Sequence, residues 1–116
     1  MRHRKTITKL DRPASQRKAL LSQLASSFFL HEKIETTVAK AKALRSYAEK
    51  LITLAKEDSV AHRRKADKFL EGKKVVQKLF EVIGPKYKDR KGGYTSTHRT
   101  TKRQGDSGEK AIIALV

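Results

Sequence analysis

Phosphate binding is the chemistry this chain is best supplied for, because its cations are many and unevenly placed. Residues 1–12 (MRHRKTITKLDR) carry Arg2, Arg4, Lys5, Lys9 and Arg12, with His3 among them, against the single acid Asp11. Ile7 and Leu10 bury too little to offset the entropy of ordering such a segment. It therefore needs a polyanion to lie on. A second unbalanced stretch, residues 85–103, holds Lys86, Lys88, Arg90, Lys91, Arg99, Lys102 and Arg103 against Asp89. Between them the charges are mixed: six basic and four acidic groups over residues 31–57, seven and four over 58–84, as on ordinary solvated helices.

Other chemistries find no support. His3, His31, His62 and His98 are scattered, with no HxxxH spacing for a metal. There is no GxSxG, no phosphate-binding P-loop and no GxGxxG, and Glu32 and Glu35 sit among lysines as surface ion pairs would. No enzyme activity, metal, cofactor or small-molecule substrate is expected. The absence of Cys removes disulfide frameworks and the usual structural zinc sites, and suits a reducing compartment. No apolar run approaches the roughly 18 residues of a membrane span, and no apolar stretch follows the basic start as in a secretory signal. A cytoplasmic protein without a membrane partner is expected. With 34% charged residues, 37% hydrophobic residues and a net charge of +16, 116 residues make one small core that a polyanion would stabilise by neutralisation.

The segment Asp89-Arg90-Lys91-Gly92-Gly93-Tyr94-Thr95 has two readings. In one, the glycines let another backbone come close, Arg90 and Lys91 supply charge, and the Tyr94 ring stacks on a base or ribose. In the other it is a loop leading into a strand, with a core tyrosine. Aromatic residues are only 6% of the chain and Trp is absent, so an extended base-stacking platform is not available. Recognition should rest on phosphates and shape.

Positioning these cations falls to elements read from apolar spacing. A first helix is expected from Pro13 or Ala14 to Phe29, capped by Asp11 or Ser15, with a stripe of Leu20, Leu21, Leu24 and Phe28 widened by Ala25 and Phe29. Arg17 and Lys18 extend the basic arm onto its first turns. Residues 33–37 (KIETT) read as a strand. A second helix, from Val38 to Lys56 with Thr36 or Thr37 as N-cap, has the clearest stripe: Ala41, Leu44, Ala48, Leu51, Ile52 and Ala55. Lys40, Lys42 and Arg45 lie off it. A third helix should be capped by Asp58 or Ser59 and end near Leu70. A fourth, Lys73 to Ile83, buries Val75, Val76, Leu79, Phe80 and Ile83 and is stopped by a left-handed Gly84 and Pro85. Tyr94 to Lys102 and Ala111 to Val116 read as strands, the last an apolar run suited to burial on both faces. The fold class is α/β (α+β), a two-layer domain in the order α-β-α-α-α-β-β. Its small sheet of three strands is covered by helices on one face, residues 13–116 forming the domain and 1–12 a basic extended arm.

MRHRK at the start, TTVAKAKALR (Thr36 to Arg45), LITLAK (Leu51 to Lys56), KLF…IGPKY (Lys78 to Tyr87) and RKGGYT followed by RQGD recur together, in order, over nearly the whole chain. In these blocks the chain resembles the L-seventeen family of bacterial large-subunit ribosomal proteins. It differs at Asp11, where the family often has Asn, and at Ala39, where it often has Pro. The resemblance implies a structural protein that binds large-subunit rRNA near the nascent-peptide exit, with other ribosomal proteins beside it. It maps the family's basic arm onto Arg2, His3, Arg4 and Lys5, and its late motif onto Gly92, Gly93 and Tyr94. With the charge pattern, the expected RNA contacts are these together with Lys9, Arg12, Arg17, Lys18, Lys40, Lys42, Arg45, Arg90, Lys91, Arg99, Lys102 and Arg103. A free nucleoid-associated or regulatory DNA-binding protein, using the start of the second helix in a groove, is the alternative the charge also allows.

Overall fold

The computed structural model describes residues 13–100 and 109–116, and the expected cap Asp11 lies outside them. The elements run α1 (Ala14–His31), β1 (Lys33–Thr37), α2 (Val38–Ala55), α3 (Val60–Asp67), α4 (Lys73–Lys78), a π-helical segment (Leu79–Ile83), α5 (Gly84–Lys86), β2 (Thr95–Arg99) and β3 (Lys110–Leu115). This is the expected order, with the fourth helix assembled from three segments. The sheet has the order β1-β3-β2 with both pairs antiparallel, so the last strand lies in the centre. Ile113 pairs with Ile34 on one side and Thr97 on the other.

The β3 register corrects one expectation. Ala111 and Ile113 are buried, whereas Ile112 and Ala114 on the opposite face are only half-buried. An apolar run therefore serves here as a face-alternating strand, its inner face against the helices. Its outer face is flanked by Glu35 and His98 across from Ile112.

All six stripe residues of α2 are buried. Its N-cap is Thr37, whose Oγ1 accepts the Lys40 N–H at 3.3 Å. Ser59 caps α3 by accepting the His62 N–H at 3.1 Å, while Asp58 instead pairs with Arg63. In α1 the expected stripe divides. Ala25, Phe28 and Phe29 are buried with Ser26, but Leu20, Leu21 and Leu24 in the helix's middle turns are only partly covered. Ser15 sits inside the helix, and Pro13 holds the N-cap position without a side-chain cap. At the other end Glu32 takes a left-handed φ of 62° and its N–H donates to the Phe28 carbonyl. Lys78 Nζ donates to the Leu30 carbonyl at 2.8 Å, covering that helix end.

Two polar contacts hold the chain between α3 and α4. Ser26 Oγ accepts the Glu71 N–H at 2.8 Å, and Tyr47 Oη donates to the Phe69 carbonyl at 2.6 Å. Burial raises the Tyr47 phenol from 10.0 to about 12.

Gly84 does not play the part of a C-cap. Its backbone is right-handed helical, and its N–H donates to the Leu79 carbonyl, closing a π turn. Its lack of a side chain matters for space: a Cβ there would lie 2.3 Å from the Ala55 carbonyl oxygen. Gly84 thus lets the end of α2 meet the helical run 73–86 backbone to backbone.

Gly84→Ala should separate those backbones and lower unfolding free energy by about 1–3 kcal/mol, read by denaturant titration; an unchanged midpoint would rule out the close approach. Tyr47→Phe tests the phenol's hydrogen bond. The folded phenol titrates above its unfolded value, so the unfolded chain loses this proton first and stability falls as pH rises from 10.0 toward about 12. The variant should lose about 0.5–1.5 kcal/mol at neutral pH and show a shallower alkaline decline than the parent in parallel denaturant titrations.

Candidate nucleic-acid interface

Several basic residues of the fold are held beside acids. Arg63 donates to both Asp58 oxygens at 2.7 and 2.8 Å. These hydrogen bonds, with the guanidinium's charge, hold the Asp58 carboxyl below its ordinary range against slight desolvation. Lys78 lies 3.6 Å from Glu32, and Lys110 lies 3.1 Å from Glu35. Two of the expected RNA ligands are also paired: Arg45 with Glu49 at 3.2 Å, and Arg99 with Glu109 at 3.4 Å. Such exposed pairs are weak enough to open for a phosphate. Arg17, Lys18, Lys40, Lys42 and Lys91 have no acidic partner among the described residues.

One flank of α2 forms the wall of a groove of about 530 Å3. Arg17 and Leu21 of α1 face it from one side, and Lys65 of α3 with Phe69 from another. From α2 itself come the exposed Lys42, Ser46 and Lys50 and the half-buried Tyr47 and Leu54. The structure thus brings together Arg17 and Lys42, two expected ligands 25 positions apart in the sequence. It adds Lys50 and Lys65, which in the sequence stand among mixed charges. A signal for Lys50 is present there: positions 42, 46 and 50 are four apart and share one helix side. The other flank of α2 faces β2, where Glu49 Oε2 accepts both Arg45 Nε and, at 3.1 Å, the Thr95 hydroxyl.

Beyond α5 the late basic segment folds against the end of α2. Lys56 Nζ donates to the Arg90 carbonyl and lies 4.8 Å from the centre of the Tyr94 ring. Tyr94 Oη donates to the same carbonyl at 3.1 Å, and its ring is 2% exposed, packed 5.3 Å from Tyr87. The core-tyrosine reading is therefore correct and the base-stacking one is not: Tyr94 shapes the loop from within. The glycines also act differently from the expectation. A Cβ would meet nothing within 4 Å at Gly92, and only the Arg90 guanidinium, at 3.9 Å, at Gly93. Gly93 is needed for its φ of 63°, and Arg90 Nε closes the turn by donating to the Gly92 carbonyl at 3.1 Å. Lys88, Arg90 and Lys91 remain exposed around it. Arg2, His3, Arg4, Lys5, Lys9, Arg12, Lys102 and Arg103 lie outside the described residues.

Among the described residues no three His, Cys, Asp or Glu side chains come together to hold an ion, and no helix is long and apolar enough to cross a membrane. What the surface offers is cations on a helical frame, groups able to donate charge-assisted hydrogen bonds to phosphate oxygens.

Comparison with known proteins agrees with the motif blocks. Residues 20–116 match the family model described as ribosomal protein L17. Three bacterial proteins named large ribosomal subunit protein bL17 are similar over 116 residues, which is 100% of this chain and of each of theirs. That of Dictyoglomus thermophilum is 53% identical, that of Dictyoglomus turgidum 50%, and that of Fusobacterium nucleatum 49%. The chain belongs to the ribosomal protein L17 family and is a structural ribosomal protein, not an enzyme.

Proposed function

We propose that this protein clamps large-subunit rRNA between two cationic regions hinged on α2, through phosphate and shape contacts with little reading of base edges. The chain is a structural protein of the large ribosomal subunit, at work in the cytoplasmic ribosome. The observation that carries the rRNA reading is the supply of cations that have no acidic partner among the described residues. Acidic groups pair with Arg45, Arg63 and Lys78, while Arg17 and Lys42 on one side of α2, and Lys91 on the loop at its end, are left for an external anion. Residues 1–12, with five cations against one acid, bind rRNA as a basic arm, and Arg17 in the first turn of α1 adds to them from the groove. Residues 13–116 act as the domain that carries the arm. A position near the nascent-peptide exit, with other large-subunit proteins alongside, rests on the family resemblance that the MRHRK, TTVAKAKALR, LITLAK, KLF…IGPKY, RKGGYT and RQGD blocks carry together.

The fold does not favour the DNA-binding alternative. The start of α2 is tied to the sheet, Val38 N–H donating to the Glu109 carbonyl at 3.2 Å, so it does not project as a groove-reading helix would.

Deleting residues 1–12 should weaken binding to large-subunit rRNA and flatten its salt dependence. For every phosphate the arm neutralises, its deletion should reduce the slope of log affinity against log salt by about 0.7 to 0.9. Circular dichroism should show the remaining chain still folded. A truncated, folded chain with an unchanged slope would exclude the arm as an RNA ligand.

A further inference from the structure

The groove between α1, α2 and α3 has a composition that general phosphate binding does not require. The chain has seven aromatic residues, and five of them, Phe28, Phe29, Phe80, Tyr87 and Tyr94, are buried in the core. The two that keep exposed surface, Tyr47 and Phe69, both line this groove. Their rings are held edge to face, 6.1 Å between centres and 80° apart, and Tyr47 is pinned by its hydrogen bond to the Phe69 carbonyl. Arg17, Lys42, Lys50 and Lys65 surround them, and among the described residues no acidic one lines the groove.

We propose that this groove holds one unpaired nucleotide of the rRNA, its base against the Tyr47 and Phe69 pair, stacked on the face of one ring beside the edge of the other, and its flanking phosphates on the four cations. The proposal rests on the rRNA-binding reading and assigns it a place. A nucleotide presents a base with flat π faces between two anions, which is what a fixed aromatic pair ringed by cations complements. The volume, about 530 Å3, lies within the roughly 300–1,000 Å3 of small-ligand clefts. A continuous duplex would satisfy the cations and leave the aromatic pair uncovered, since its bases stay stacked inside.

The test uses the full chain in assembled large subunits irradiated at short ultraviolet wavelength, with crosslinked peptides mapped by mass spectrometry. A nucleotide crosslinked to Tyr47 or Phe69 is expected. In parallel, a Lys50→Gln, Lys65→Gln double variant is compared with the parent for binding to large-subunit rRNA across a salt series. Both lysines are exposed, and glutamine adds no negative charge at the end of α3, so folding should be kept. The salt slope should fall by about 0.7 for each single-strand phosphate that the lysines neutralise in the parent, and the Tyr47 or Phe69 crosslink should weaken. Crosslinks confined to residues 1–12 and 85–103, with an unchanged slope in the double variant, would overturn the groove assignment and leave rRNA binding standing. A crosslink from Tyr47 or Phe69 to an acidic segment of a neighbouring protein would overturn it in favour of a peptide occupant. Failure of the parent chain to bind the rRNA at all would overturn both readings together.

Discussion

Burial of one side of α2 is the constraint from which the rest of the molecule follows. Ala41, Leu44, Ala48, Leu51, Ile52 and Ala55 are all withdrawn from water, and α2 touches α1, α3, α5, the π segment and every strand of the sheet. Each fully buried Leu or Ile contributes roughly 1.5–3 kcal/mol, and Phe28, Phe29, Leu79, Phe80, Ile83 and Ile113 from the surrounding elements complete the core against this side. The alanines at 41, 48 and 55 are seven apart and all buried. At the last of them the approach is so tight that only a glycine, Gly84, fits opposite the Ala55 carbonyl. A larger residue at either end would push the helical run 73–86 away from α2.

Because α2 is anchored on that side, its other sides become fixed presentation surfaces. One carries Lys42, Ser46 and Lys50 into the groove shared with α1 and α3. Another carries Glu49, which gathers Arg45 and Thr95 and so ties the helix to the start of β2. The helix end carries Lys56, which with Tyr94 converges on the Arg90 carbonyl and shapes the Gly92–Gly93 turn from inside. The cations are thus held at set separations by packing, not by one another. With a net charge of +16 they repel at low salt, and an anionic partner relieves that repulsion as it binds.

Residues read well from sequence are those whose environment is set by near neighbours along the chain. The α2 stripe, the Thr37 and Ser59 caps and the β1 strand depend on spacings of a few residues, and each occurs where the spacing puts it. The departures have non-local causes. Leu20 and Leu21 continue the α1 stripe, yet the core does not extend far enough to cover them, and Leu21 faces a groove instead. Gly84 has the form of a helix terminator, but its role is decided by a carbonyl 29 positions earlier. Ala111 to Val116 is apolar enough for burial on both faces, and the number of faces covered depends on where the helices lie. Tyr94 suits surface and core equally well in its local sequence; Tyr87, Lys56 and the Arg90 carbonyl enclose it and make it a core residue.

The order of residues is enough to establish a basic, helix-rich protein with a small antiparallel sheet, no catalytic constellation and two stretches of unbalanced cations. Composition and short-range periodicity suffice for that, since charge is additive and helices and strands repeat at their own periods. Which cations stay unpaired, that Tyr94 is enclosed, and that Arg17, Lys42, Lys50 and Lys65 ring one aromatic-lined groove are settled by the packing of the folded chain. Those facts depend on how α1, α2 and α3 cross, and a crossing joins residues tens of positions apart that no local pattern relates.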